Sequence, residues 1–487
     1  MCYTRRKGNG ENDIKTLRLG RWKMYRGRGG QISVLDFTMS GTFNLDSENR
    51  WIKRSDSVPW DKAEQKYTHM FKKNGRPAKD IRIAMGSLLI QEFMGLSDEE
   101  TLLAITENPY LQYFIGLPEF TNKPPFDPSL MVWFRKRLSK KFLSEINEEM
   151  CKEAAKSQEV TPPADDDDLP HGGTMIVDAS CAPADIKYPT DTGLLAEAIE
   201  KTDDMIDTMQ APLKGREPRP RTYRKKSRRL FTGFIKQRKP TAKAIRKCRG
   251  KQLNYLKRNL HYVEQMCQNG GKLTKRQEKL LPTIQKLYNQ QDEMHQNRTN
   301  RVDDRIVSLS QPHIRPIVRG KAGAPVEFGA KVNMSVVGGY TFLNEINYNA
   351  FNESELLDNA IIDYLMCFDM LPERILVDQI YVTRDNRKLC KELGIKLSGK
   401  PLGRPPKNPV ALTDRPIPGE RNEVEGKFGT LKTRYGWNRI MARLPETGES
   451  LISIAVLAMN LAKRAKSLLR LILQRLFVSF VSAHVVY

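Results

Sequence analysis

The alternation of apolar and polar positions divides the chain into a helical first third and a strand-and-helix body, with a long helical stretch interrupting that body. Between residues 51 and 155 apolar side chains recur at helical spacing. Ile81, Ile83, Met85, Leu88, Leu89, Phe93 and Met94 follow Pro77 and stop at Gly95. Ser97 followed by Asp98, Glu99 and Glu100 reads as an N-cap with an acidic first turn. Leu102, Leu103, Ile105, Leu111, Phe114 and Ile115 continue the pattern, and Asp127-Pro128-Ser129 opens a further helix that ends in Arg135, Lys136 and Arg137. With Lys140 and Lys141, these make a candidate phosphate-facing element, or simply a solvated basic face. Residues 156–173 break the pattern with Pro162, Pro163, Pro170 and the run Asp165 to Asp168. That run predicts a hydrated linker rather than a metal site, because like charges in a flexible segment repel and offer no fixed geometry.

The body opens with the apolar run Met175-Ile176-Val177, ended by Asp178, which predicts a strand over 174–178 and a loop from Ala179 onward. A helix through Leu194, Leu195, Ala198 and Ile199 follows. From 205 to 300 two apolar stripes, one at Leu253, Leu256, Leu260, Val263 and Met266 and one at Leu280, Leu281, Ile284, Leu287 and Met294, flank Asn269-Gly270-Gly271. They predict an antiparallel helical hairpin. Strands are expected at 306–309, 332–337 and 340–343, the last two joined through Gly338-Gly339. Then come a helix over 353–368, a strand over 374–378 ended by Asp378, a helix over 384–393 and a short strand at 395–397. A basic loop at 400–407, a helix from about Glu420 and a closing apolar helix over 449–475 complete the order. Strands and helices in this order predict an α/β fold.

Charge changes the picture most. The 487 residues carry a formal net charge of +24 and a pI near 9.6, an excess that calls for a polyanion, nucleic acid before an anionic membrane surface. Lys463, Arg464, Lys466, Arg470 and Arg475 interrupt the most apolar segment and argue against a spanning helix. Seven scattered cysteines without a C-x-x-C pair argue against a zinc ribbon or a disulfide framework and suit a reducing cytosol. The N-terminus lacks the apolar stretch of a secretory signal, so a cytoplasmic, nucleoid-associated protein is expected.

The candidate chemistry lies in GERNEVEGKFGTLKTRY, residues 419–435. Arg421, Glu425 and Lys432 stand four and seven apart, so a helix puts one carboxylate between two cations on a single face. Asp178 and Asp378 each end a buried-type strand, and the three acids can converge on divalent ions. Glu423 and Asp185 are the rival carboxylates; Asp185 ends no apolar run and reads as loop support. The segment PRPRTYRKKSRR sets Tyr223 among seven Lys and Arg, a density that repels itself unless anions neutralise it.

These residues resemble the DDE transposases of bacterial insertion sequences, in the group with the YREK signature. The matches are VDAS at Asp178, the following CAPADIKYPTDTGLL, VDQIY at Asp378, LSGKPLGRPPK at 397–407, and RNEVEGKFGTLKTRYG. The resemblance spans about residues 79 to 465. Pro418 stands where the signature has its tyrosine. The resemblance implies a ribonuclease-H-like mixed sheet over 174–204 and 301–475, interrupted by a basic helical insertion over 205–300. Before it come a basic, disordered leader over 1–50, an all-α DNA-binding domain over 51–155 and the linker; a tail over 476–487 ends the chain.

It implies catalytic, metal-holding roles for Asp178, Asp378 and Glu425 toward two Mg²⁺ ions, with Mn²⁺ able to substitute, about 3.5–4 Å apart. Phosphate or DNA contacts fall to Arg421, Lys432, Lys400, Arg404 and Lys407 near the site, and to Arg221, Arg224, Lys225, Lys226, Arg228 and Arg229 in the insertion. The partner is double-stranded DNA, both the element's terminal inverted repeats and the target, handled by a homodimer. The reaction expected is cleavage of the element ends and joining of the 3′-OH to target DNA. A metal-dependent nuclease of the same fold, or a DNA-binding remnant with a decayed site, are the alternatives.

Overall fold

The computed structural model describes Phe37 and residues 44–71, 77–155, 160–161, 169–213, 218–318, 326–398 and 419–484. Its first third is helical: α1 (Arg50–Ser57), α2 (Trp60–Thr68), α3 (Ile81–Met94), α4 (Asp98–Glu107), α5 (Pro109–Phe114), α6 (Leu130–Arg137) and α7 (Lys140–Ala155). The local signals act as their chemistry requires. Ser97 and Glu100 form a reciprocal capping box at the start of α4, and Gly95 ends α3 in the left-handed region at φ 67°. Of the expected leader, Phe37 and Leu45 are buried against Ile52 and Tyr113.

These helices do not close a core by themselves. Leu88, Ile105, Phe114 and Ile146 share one cluster with Ile454, Leu457, Ala458 and Leu461 of the final helix, α15 (Pro445–His484). That helix runs past the expected end at 475 because no Gly or Pro follows Gly448 to stop it.

Two short strands, β1 (Val160–Thr161) and β2 (His171–Gly172), pair as a ribbon inside the expected linker. The main sheet comprises β3 (Thr174–Pro183), β4 (Arg315–Val318), β5 (Val326–Val337), β6 (Tyr340–Asn347), β7 (Arg374–Leu376) and β8 (Lys396–Leu397). Its order is β4-β5-β3-β7-β8, with β6 sharing the outer edge of β5 with β4. The β3–β5, β4–β5 and β5–β6 pairs are antiparallel, and β3–β7 and β7–β8 are parallel. Leaving out short β4, the strands counted from β3 lie third, second, first, fourth, fifth across the sheet.

Two strand expectations need correction here. β3 does not end at Asp178; it stays paired with β5 to Pro183, because the small residues after Asp178 pass close to Gly329, where a Cβ would strike the Ala182 carbonyl. Residues 306–309 are not a strand, although Ile306, Val307 and Leu309 are buried. The strand instead forms at β4, whose pattern Pro312 and Pro316 obscure; prolines sit comfortably on an outer strand. The β5–β6 hairpin forms as expected: Gly338 and Gly339 both take positive φ, 55° and 76°, as a two-residue turn of the twisted-hairpin type demands.

Both faces of the sheet are covered. Ile176, Met334 and Val336 pack on one face against α14 (Asn422–Arg434) and α15, and Met175, Val177 and Val337 on the other against α12 (Leu357–Phe368). Between β3 and β4 the chain builds a bundle of α8 (Asp191–Gln210), α9 (Arg224–Ile235), α10 (Ala242–Gln268) and α11 (Lys275–Gln296). It has its own core, in which Leu195, Ile206, Leu256, Ile284 and Leu287 meet. The expected hairpin is α10–α11, turned at Asn269-Gly270-Gly271, and α8 packs with it. Among the described residues no helix is long and apolar enough to cross a membrane.

Candidate active site

The site begins with a register coincidence. The parallel β3–β7 pairing ends at Ile176↔Leu376, and Asp178 and Asp378 each stand two residues further on. Beyond that point β3 continues beside β5, while the chain after β7 turns into a 3-10 helix over Gln379–Tyr381. Asp378 therefore caps a helix rather than ending a strand. The divergence opens a crevice at the carboxyl end of two parallel strands, where α/β sheets commonly bind ligands. Each aspartate is braced by its own backbone: Asp178 Oδ1 accepts the Ala179 N–H at 2.8 Å, and Asp378 Oδ1 the Gln379 N–H at 2.7 Å.

The third side comes from α14. Val424, Phe428 and Leu431, at helical spacing, are buried against Ile176, Met334 and Leu376 of the sheet, which fixes the helix's rotation. A two-pronged ion pair fixes its start: Arg374 of β7 holds Glu420 at 3.0 and 3.1 Å, and Arg374 Nε also donates to Thr174. Arg421 is then aimed into the crevice. Its guanidinium lies 3.3 Å from Asp378 Oδ1, 3.6 Å from Glu425 Oε1 and 3.8 Å from Asp178 Oδ2. Three carboxylates from three separate elements thus surround one cation.

Burial differs across the trio. The Asp178 side chain is 14 % exposed, Asp378 50 % and Glu425 62 %. Desolvation raises the Asp178 pKa above the usual carboxylate range; the Ala179 N–H and Arg421 oppose this, and Glu353 and Asp378 add to it. Three acids around one guanidinium leave a local excess of negative charge. The donors are hard oxygens, so their chemistry suits Mg²⁺ or Mn²⁺. As they stand, they meet at Arg421 rather than at one another, and among the described residues no group of three or more His, Cys, Asp or Glu is arranged to hold a metal.

The rivals are engaged elsewhere. Glu423 faces Lys427 at 3.9 Å, beside the Gly338–Gly339 turn to which Lys427 and Lys463 donate. Asp185 ties its loop to Arg439 at 2.6 Å. Lys432 lies two turns along α14 from Glu425 and is half-buried. Lys400, Arg404, Lys407 and Pro418 fall outside the described residues.

The insertion's cations separate into two classes. Arg224 reaches Asp203 at 3.2 Å and Asp207 at 2.6 Å, and Arg228 reaches Glu200 at 3.2 Å, so both fasten α9 to α8. Arg221 stacks on Tyr223, with Arg258 and Lys226 also over that ring. Lys225, Lys226 and Arg229 are exposed, with no ion pair among the described residues. In α6, Arg135 is buried and grips Asp98 through two hydrogen bonds, which removes it from a phosphate-facing role; Lys136 and Arg137 remain exposed.

Sequence reasoning overlooked the residues behind Asp178. Glu353 pairs with the buried Lys331 at 2.9 Å, and the Asn333 amide donates to the Tyr381 hydroxyl at 2.8 Å. The available signal was Lys331, a cation inside an apolar strand, which requires a buried partner.

Residues 375–462 match the family model described as a transposase DDE domain, and residues 43–137 match one described as a transposase domain (DUF772). Over 143 residues the chain is 31 % identical to an uncharacterized protein, ORF8 in the nfe locus of Rhizobium meliloti. That stretch is 29 % of this chain and 66 % of the relative, just under two thirds of its length. No solved structure matches.

Proposed function

We propose that the chain is a DDE transposase, a reading supported by its two transposase-domain matches, and that it cuts the ends of an insertion sequence and joins the freed 3′-OH to target DNA. The observation that carries this reading is the meeting of Asp178, Asp378 and Glu425 within 3.3–3.8 Å of one guanidinium. The strand order, third-second-first-fourth-fifth, supports a ribonuclease-H-like assignment for the sheet.

In this reading Asp178, Asp378 and Glu425 hold two divalent ions, Mg²⁺ first among them. Once bound, the ions supply Lewis-acid activation of the attacking oxygen and stabilisation of the leaving one. The protein's own share is positional. The Arg374–Glu420 clamp and the Val424–Phe428–Leu431 face hold Glu425 over the two aspartates. Arg421 supplies a fixed positive charge for the scissile phosphate, with Lys432 following the strand along α14, and neither has to transfer a proton. Lys400, Arg404 and Lys407 are proposed to contact the same duplex. The substrate is double-stranded DNA, and a homodimer would bring two element ends together.

The test is Mg²⁺-dependent cleavage of DNA carrying the matching terminal repeats, with Asp178→Ala as control. Cleavage followed by joining to a second duplex is the expected result. Cleavage without joining would leave a nuclease, and binding without cleavage a remnant.

A further inference from the structure

Residues 218–263 contain 17 Lys and Arg and no Asp or Glu. In the fold this stretch becomes α9, the α9–α10 turn and most of α10. Among the described residues the acids that answer it come from α8, and they take only Arg219, Arg224, Arg228 and, from the start of α8, Arg249. Of the remaining cations Arg246 and Arg258 are half-buried and the others are exposed. Lys236, Arg238 and Lys239 crowd the turn, and Lys243, Lys247 and Lys251 stand four apart along one exposed line of α10. Like charges at that spacing repel within a helix, and among the described residues none of the six has an ion pair. A face that costs the folded protein in this way matches a ligand with regularly spaced negative charge.

We infer that the α9–α10 face docks duplex DNA away from the cleavage point, holding its phosphates rather than reading its bases. This rests on the reading of the chain as a DNA transposase but concerns a different surface. The bundle's core is separate from the two cores that flank the sheet, so the face is positioned independently of Asp178. Lysine dominates it, and lysine meets phosphate as a point charge with no demand on sequence. A long duplex can then be held by its flank while α14 engages the scissile position.

The experiment measures binding of the full chain to a 60-base-pair duplex of unrelated sequence as salt is raised. The variant carries Lys236→Gln, Arg238→Gln, Lys239→Gln, Lys243→Gln, Lys247→Gln and Lys251→Gln. Removing one cation that neutralises a phosphate lowers the slope of log affinity against log salt by about 0.9. A slope smaller by about 3 to 5 is expected, with affinity at 0.2 M salt at least about 100-fold weaker. The Lys243→Gln/Lys247→Gln pair, which relieves only the α10 repulsion, should melt at or above the wild-type temperature and reduce the slope by about 1 to 2. Unchanged slopes in both variants overturn the inference, as does a loss of binding to phosphatidylserine vesicles with DNA binding intact. Asp178→Asn separates the two readings: it should abolish cleavage and keep the wild-type slope. A sextuple variant that cleaves and binds like wild type sinks the docking face alone.

Discussion

Two cation-bearing regions of this molecule are built on opposite accounts of charge. At α14, Arg421 is outnumbered by Asp178, Asp378 and Glu425, all within 3.8 Å of it. On α10, Lys243, Lys247 and Lys251 stand in a line with no acid in their own stretch of chain. The first region has negative charge in excess, which on the proposed reading small hard cations would complete. The second has positive charge in excess on an open surface, which on that reading a polyanion would complete. A phosphodiester-processing protein needs both, because metal-assisted chemistry acts on one phosphate while the affinity for DNA accumulates over many.

The most severe break of this comparison is at Asp178. Asp178→Asn keeps the shape and the brace to Ala179 but removes one charge from the crevice. Cleavage of a terminal-repeat duplex should fall by at least about 10³-fold, the scale set by loss of one preorganised charged group. Retained turnover would show that the acids act separately. Arg421→Gln probes the same crevice from the other side. Removing the guanidinium leaves three unanswered carboxylates, so Mn²⁺ should bind about fivefold or more tighter in a paramagnetic-resonance titration, while cleavage drops about 10²-fold for want of a phosphate partner. Unchanged Mn²⁺ binding would mean that Arg421 does not share the site with metal.

A smaller effect is expected at the clamp. Glu420→Gln replaces a charged, two-pronged interaction with a neutral one and should cost about 1–2 kcal/mol of stability by urea denaturation. Cleavage should fall about 10-fold by loosening Glu425, with affinity for a long duplex unchanged. Loss of duplex affinity instead would mean that α14, and not the α9–α10 face, dominates binding.

Much of the crevice was readable because its residues obey period rules. Asp178 and Asp378 end apolar runs, and Arg421 and Glu425 lie one helical turn apart. What escaped depends on partners distant in the chain. Glu200, Asp203 and Asp207 line one face of α8, and only in the folded bundle does that face pair with Arg224 and Arg228. The extent of β3 was hidden by Ala179, Ser180 and Ala182, small residues with little strand preference that β5 nevertheless keeps paired. β4 was hidden by its prolines. Asp98 lies in the first turn of α4 and so reads as a cap residue, yet it also claims Arg135 from 37 positions away.

That last pairing has a consequence of its own, the mildest of the set. Arg135 is committed to Asp98, the nearby Glu92 is half-buried with no ion pair among the described residues, and desolvation pushes its pKa up to about 8 against the pull of Arg135. Unfolded, Glu92 would titrate near 4.3. A carboxyl whose pKa is raised by folding stabilises the fold while protonated; that contribution is complete below the unfolded value and is lost as pH rises toward 8. Wild-type stability in urea should therefore decline from about pH 5 to pH 8, and Glu92→Gln should flatten the decline. At pH 8 the variant should be more stable by at least about 1 kcal/mol, since one pKa unit is worth about 1.4 kcal/mol. Parallel pH curves for the two proteins would show that Glu92 reaches water or a cation in solution. Here, then, a negative charge in excess would be met by a proton, where on the proposed reading the acids at α14 would be met by metal and the α9–α10 face, with the opposite sign, by phosphate.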